Sequence, residues 1–282
     1  MVHWSGVIGK NAESKILELS PGSDFQYSQP SKIHIGKGWA LSIQESENPL
    51  LPSYPIWSDT EKKLGLFLNG VIYTREFSID EVIDTPKQCF SKLLNKYADD
   101  PKKIVNSFVN GTYSGLIIDS NRNEFHLFLD PFGFMPVYYY FNNETLYFST
   151  ELHLLAQNSN INESISLSAL NEYLAYGALI SSKTLINNVK YLDFASLLSF
   201  SDGKISVKKW YSFPKESSCK LPLSKSLHKT YLTWKQSISS LQSKEIDYCL
   251  SLTGGMDSRL IFTEWPHKKS LITETGNSKE NP

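Results

Sequence analysis

The sequence predicts an α+β domain followed by an α/β domain, on three observations. Up to about residue 149 the chain runs in short, aromatic-rich and β-branched segments broken by turn residues, and its 15 Tyr, 15 Phe and 6 Trp are the residue types that concentrate in strands. A polar run at residues 157–166 then interrupts the pattern. Beyond it the order becomes helix, apolar strand, glycine loop and helix, which is the rhythm of a parallel sheet. The expected division is residues 1–160 and 161–282.

Taken in order, residues 5–9, 32–35 and 39–44 read as strands, and residues 64–68 run into Asn69-Gly70, a strong turn dipeptide, before Val71-Ile72-Tyr73 resumes an extended pattern. Residues 81–98 carry Val82, Phe90, Leu93, Leu94 and Tyr97 at nearly helical spacing, with Pro86 near the true start. Residues 113–119, 125–130, 137–141 and 145–149 read as a meander of four strands, because connections so short favour antiparallel neighbours. Residues 151–156 form a brief helix. Residues 168–176 form another, capped by Ser166 or Ser168 and ended by Gly177. Ser201-Asp202-Gly203 joins residues 196–200 and 205–210 as a hairpin. Residues 225–241 are amphipathic, with Leu227, Tyr231, Trp234 and Ile238 on one stripe.

Composition excludes several classes. The 28 basic and 29 acidic residues nearly cancel, so no global field favours nucleic acid or an acidic membrane. No stretch approaches the roughly 20 apolar residues of a membrane span. The start has no basic n-region, so no signal peptide is expected. Cys89, Cys219 and Cys249 are few, odd in number and far apart, which suits core filling in a reducing cytoplasm. The six His are scattered without metal-ligand spacing, and no structural metal is expected.

The stretch that looks most like chemistry is Leu252-Thr253-Gly254-Gly255-Met256-Asp257-Ser258, set between an apolar run and the start of a helix. Adjacent glycines let the backbone come close to a ligand, and a following helix N-terminus favours an anion there. The spacing is neither that of a Walker loop nor of a dinucleotide fingerprint. The other reading is a strand-to-helix turn with Asp257 as the cap. Thr253 to Ser258 resembles the S-G-G-x-D-S loop of the ATP pyrophosphatases, which cleave ATP between its α and β phosphates.

The chain as a whole resembles the asparagine synthetase family. Ser5-Gly6-Val7-Ile8-Gly9 is similar to the family's opening C-G-I-x-G, and Leu68-Asn69-Gly70-Val71-Ile72-Tyr73 to its x-N-G-E-I-Y. Asp130-Pro131-Phe132-Gly133-Phe134-Met135-Pro136-Val137-Tyr138-Tyr139 is similar to its D-R-x-G-x-(K/R)-P-L-Y-Y, and Phe148-Ser149-Thr150-Glu151-Leu152 to its F-A-S-E-L. The resemblance implies an N-terminal-nucleophile-type α/β/β/α sandwich of the class II glutamine amidotransferases, followed by an ATP-pyrophosphatase-type synthetase domain. It also implies ATP-dependent activation of a carboxylate as an acyl-adenylate, release of pyrophosphate, and attack by an amine.

Three departures fall in one pocket. Ser5 stands where the family has an N-terminal Cys whose own α-amine serves as base, and here four residues precede it. Ala40 replaces the Arg that would grip the glutamine carboxylate, and Val71 replaces the carboxylate that would hold its amine. Ala40, Asn69, Gly70 and Val71 are therefore expected to be remnants of a glutamine pocket that no longer hydrolyses glutamine. The resemblance assigns Leu252, Thr275 and the glycine loop to ATP, with Asp257 toward magnesium. Because 24 residues follow Ser258, the synthetase half is expected to be truncated and, on its own, inactive. The expected partners are a small-molecule carboxylate and an amine, not nucleic acid or membrane, and a homodimer is left open. The alternatives are a pseudoenzyme or gene fragment acting as a folded binding module, and a relative of β-lactam synthetases or lasso-peptide cyclases.

Overall fold

The computed structural model describes residues 3–19, 31–44, 53–59, 63–74, 92–158, 161, 164–213, 221–240, 248–265 and 271–275. The chain divides into two compact units, Met1–Phe213 and Pro214–Pro282.

The first unit contains β1 (His3–Ile8), α1 (Ala12–Lys15), β2 (Lys32–Gly36), β3 (Trp39–Gln44), β4 (Ser53–Asp59), β5 (Leu64–Thr74) and α2, whose described part is residues 92–96. It continues with β6 (Phe108–Asp119), β7 (Glu124–Leu129), β8 (Tyr138–Asn142), β9 (Thr145–Ser149), α3 (Leu152–Ala156), α4 (Leu167–Tyr176), β10 (Lys190–Tyr191), β11 (Ser196–Ser201) and β12 (Lys204–Lys209). The strands form two six-stranded sheets, in the orders β10-β8-β9-β1-β3-β2 and β12-β11-β7-β6-β5-β4, and every pairing is antiparallel.

Strand alternation explains the layering, because successive side chains leave a strand on opposite faces. Trp4 and Ile8 of β1 pack with Leu41, Phe67, Leu116, Ile118 and Phe148 in one cluster drawn from both sheets. Val7 points the other way, into a cluster with Ala12, Ile16 and Leu19 of the α1 segment and with Leu155 of α3. On the second sheet Leu64, Leu66 and Leu68 face Leu93 and Leu94 of α2 and Ile104 and Val105 of the 3-10 helix Pro101–Ser107. The order is thus helix, sheet, sheet, helix. The part of the expected helix at residues 81–91 lies outside the described residues.

Three expectations about the first unit are corrected. The strands between residues 113 and 149 are not one meander. β6 pairs with β7 and β8 with β9, but β7 and β8 belong to different sheets. The physical cause is Asp130, fully buried, whose carboxylate accepts from the amides of Phe132 (2.7 Å), Gly133 (2.7 Å) and Phe134 (3.1 Å) and from Tyr113 N (3.3 Å). These bonds turn the chain off the second sheet and onto the first. Burial first, and then the Asp130 charge, push the Tyr113 phenol far above its ordinary value.

Asn69-Gly70 is no hairpin turn either. It lies inside the eleven-residue β5, whose register with β6 runs from Leu64↔Asp119 to Tyr73↔Asn110. Gly70 has φ +109°, and a Cβ there would sit 2.0 Å from the Thr112 carbonyl oxygen, so glycine is required by the close strand and not by a reversal.

The compact unit does not stop near residue 160. β10 adds to the first sheet, and the β11–β12 hairpin adds to the second through β7, so the division falls after Phe213. The hairpin itself forms as expected, with Asp202 and Gly203 both at positive φ. Ser166 also caps α4, accepting from Ala169 N at 3.4 Å, and Gly177 ends it at φ +70°.

In the second unit, α5 (Leu223–Ser240) precedes β13 (Tyr248–Ser251), α6 (Met256–Glu264) and β14 (Leu271–Glu274), and β13 and β14 pair in parallel. Ile238, Trp265 and Leu271 form its small core, with Trp234, Tyr248 and Leu250 packed against it. The upper part of the α5 stripe is not buried in this unit, since Leu227 and Tyr231 are exposed. Cys249 is exposed as well and does not fill a core, because strand alternation gives its neighbours Tyr248 and Leu250 the buried face. Cys89 and Cys219 lie outside the described residues. No helix among the described residues is long and apolar enough to cross a membrane.

One buried titratable group predicts how stability follows pH. His126 on β7 is buried, with Nδ1 2.8 Å from Ser199 Oγ on β11. Burial lowers its pKa, outweighing the opposite pull of Glu124. A folded pKa below the unfolded value near 6.5 means that the unfolded chain takes up the proton first. The contribution is therefore complete above about pH 6.5 and is lost as pH falls, at about 1.4 kcal/mol per unit of pKa difference. Melting temperatures of the wild type should fall between pH 7.5 and 5.5, and His126→Gln should flatten that fall. Parallel curves for the two proteins would remove His126 from this account.

Candidate functional site

Ser5 lies in the middle of β1, paired with Ser42 on one side and Ser149 on the other. Its nitrogen is therefore a peptide amide inside a sheet. Its Oγ donates to the Leu19 carbonyl at 2.8 Å, and the residue is 1% exposed. Ala40, opposite Val7 on β3, is fully buried in the apolar cluster on that same outer face. Asn69 is separated from both. It follows Phe67 by two along β5 and lines a cleft. Gly70 and Val71 continue β5, and the Val71 side chain lies outside the described residues. The structure thus does not bring Ser5, Ala40 and Asn69 to one point.

What does converge on Asn69 is a set that sequence reading missed. The cleft has a volume of about 680 Å³ and is lined by His3, Asn69, Thr150, Glu151 and His153, with Phe134, Tyr138 and Leu152 among its apolar walls. His3 is placed by the first residue of β1, and the ladder there is extended by Trp4 N donating to Thr150 Oγ1 (3.1 Å) and Thr150 N donating to the Trp4 carbonyl (2.9 Å). Glu151 precedes α3 in an extended conformation and makes no capping bond with its side chain. Its carboxylate instead stands 2.5 Å from His3 Nδ1 and 3.6 Å from His153 Nδ1. Burial lowers the His3 pKa, and Glu151 opposes that in part. Spacing could not reveal this group, because His3 and Glu151 come from opposite ends of the sheet unit.

In the second unit the predicted loop is assembled at one place. Leu252 follows β13, and its amide donates to the Glu274 carbonyl at 2.8 Å, so that Leu252 and Thr275 lie beside each other past the carboxyl ends of two parallel strands. Open α/β sheets bind ligands beyond those ends. Thr253 and Ser258 hold the loop closed: Thr253 N donates to Ser258 Oγ (3.1 Å), and the two hydroxyls are 3.2 Å apart. Gly255 N donates to Thr253 Oγ1 (3.2 Å). A Cβ at Gly254 would meet nothing within 4 Å, so the space over the loop is open. Met256 and Asp257 open α6, and both are exposed. Gly255 occupies the cap position of α6, so Asp257 lies inside the first turn and is not the N-cap. Arg259 was missed by sequence reading. Its guanidinium donates to the carbonyls of Gly255 (3.0 Å) and Gly254 (2.8 Å), which fixes the loop from below and sets a positive charge beside it.

The chain is 29% identical over 150 residues to the putative asparagine synthetase [glutamine-hydrolyzing] 2 of Methanocaldococcus jannaschii, covering 51% of this chain and 28% of that protein. It is 27% identical over 210 residues to asparagine synthetase [glutamine-hydrolyzing] 1 of Bacillus subtilis, covering 72% of this chain and 32% of that one. The chain therefore spans about a third of the length of these relatives. Among solved structures, the glutamine phosphoribosylpyrophosphate amidotransferase from B. subtilis, complexed with ADP and GMP, aligns over 98% of this chain and 67% of its own, at 13% identity and a TM-score of 0.42. The glutamine amidotransferase domain profile matches residues 44–211, from the end of β3 to just beyond β12. Since that match takes in more than half of the 282 residues, the chain belongs to the glutamine amidotransferase domain family.

Proposed function

We propose that this chain joins an amidotransferase-type domain that does not hydrolyse glutamine to a loop that holds the pyrophosphate of ATP, as part of an amide-forming ligase. The reaction is activation of a small-molecule carboxylate as an acyl-adenylate and its capture by an amine, in the cytoplasm. The single observation that carries the nucleotide half is the loop past β13, where two hydroxyls 3.2 Å apart, an open Gly254 and an exposed Asp257 meet at the N-terminus of α6.

These residues suit the ligand. Hydroxyls and loop amides at a helix N-terminus favour phosphate oxygens. Magnesium is commonly held by one or two carboxylates with substrate phosphates and water completing its shell, and Asp257 supplies one carboxylate. Thr253 and Ser258 set the loop's shape through their bond to each other, and Arg259 binds the carbonyls of Gly254 and Gly255. When bound, ATP supplies the leaving pyrophosphate. The residues here orient it.

The test is calorimetric titration of the protein with ATP in the presence of magnesium. Asp257→Asn is expected to weaken binding about tenfold, corresponding to about 1.4 kcal/mol, and chelation of magnesium should weaken wild-type binding to a similar level. Equal affinities for wild type and variant would withdraw Asp257 from the nucleotide site.

A further inference from the structure

The cleft in the first unit is not used by the nucleotide reading, and its chemistry points to a ligand of its own. Of the described residues lining it, Glu151 is the only one that carries a fixed charge. The others are apolar, aromatic, amide, hydroxyl or imidazole. Its carboxylate keeps 28% of its side-chain surface open and faces two imidazoles, at 2.5 Å from His3 and 3.6 Å from His153. Burial disfavours the charged form of His3, against the opposing pull of Glu151. The walls are shaped for a hydrophobic body, with Phe134, Met135, Pro136, Tyr138, Leu152 and Ile186 around it. Aromatic faces attract cations as well as apolar groups. A volume of about 680 Å³ suits a small molecule.

We propose that this cleft binds a small organic cation, a protonated amine on an apolar body, with the ammonium on Glu151 and the body against Phe134 and Tyr138. Asn69 at the cleft's edge supplies a further polar group. The inference stands on the first unit alone and does not depend on ATP binding.

Three probes of one shape test it by calorimetry with the full chain: 2-phenylethylamine, 2-phenylethanol and phenylacetate. The amine is expected to bind saturably and at least tenfold more tightly than phenylacetate, with the alcohol between them. Glu151→Gln keeps the side chain's shape and should cut amine affinity at least tenfold while leaving the alcohol unchanged. Should that variant fail to fold by circular dichroism, Ala156→Phe, which fills the cleft from α3, should abolish amine binding. The proposal is overturned if phenylacetate binds as well as the amine, if the amine shows no saturable binding, or if amine affinity survives in the folded Glu151→Gln or in Ala156→Phe. L-Glutamine binding more tightly than the amine would also overturn it, by assigning the cleft to a zwitterion.

Discussion

Asp130→Ala should be the most damaging single change in the first unit, costing about 3–5 kcal/mol and lowering the melting temperature by about 10 °C. The carboxylate is fully buried and accepts from four backbone amides, those of Tyr113, Phe132, Gly133 and Phe134. Hydrogen bonds to a charged group contribute about 1.5–3 kcal/mol each, and removing a shared acceptor leaves several donors unmet at once. The same residue's backbone carbonyl accepts from Ala195 N (2.9 Å), tying the start of β11 to the crossover. Asp130→Asn should recover part of the loss, since one amide oxygen still reaches two donors while its NH2 faces the others. Chemical denaturation of the three proteins checks this order. An alanine variant within 1 kcal/mol of wild type would mean that the turn is held by its prolines and by Tyr191, whose hydroxyl donates to the Gly133 carbonyl at 3.0 Å.

The contrast between β11–β12 and β7–β8 shows what the sequence made legible. Ser201-Asp202-Gly203 encodes a reversal within three residues, and the hairpin is there. Ser166 and Gly177 likewise bracket α4 because caps are local chemistry. Pro131-Phe132-Gly133 is also a turn, yet the next strand belongs to the other sheet, because the buried Asp130 carboxylate ties the turn's amides together with the distant Tyr113 amide. Asn69-Gly70 looked like a reversal because its dipeptide favours one, but β6 is long enough to pair past it. Long-range partners decided both outcomes. The same reason separates the two candidate sites. The Thr253 to Ser258 loop is contiguous in sequence and could be read directly, whereas His3, Asn69 and Glu151 meet only after β1, β5 and β9 are in place.

The fate of glutamine chemistry in the first unit follows from the surroundings of Ser5. A catalytic hydroxyl needs a base within reach and an open face, and an N-terminal nucleophile takes its base from its own α-amine. Here the nitrogen of Ser5 is a sheet amide between Ser42 and Ser149, and its hydroxyl is committed to the Leu19 carbonyl in a site only 1% exposed. Ala40, packed among Val7, Ile16 and Tyr147, offers no charge to a substrate carboxylate. Loss of the general base alone costs roughly 10²–10⁴-fold in rate, and among the described residues around residue 5 neither a base nor a cationic anchor is seen, and the site is closed to solvent. Restoring a thiol by Ser5→Cys repairs none of them.

Ammonia release from L-glutamine, followed by a coupled enzymatic assay on wild type, Ser5→Ala and Ser5→Cys, therefore tests the central claim most directly. The account predicts that all three proteins are indistinguishable from the protein-free blank. Ammonia release by the wild type that disappears in Ser5→Ala, or that rises in Ser5→Cys, would contradict it and return Ser5 to the role of nucleophile.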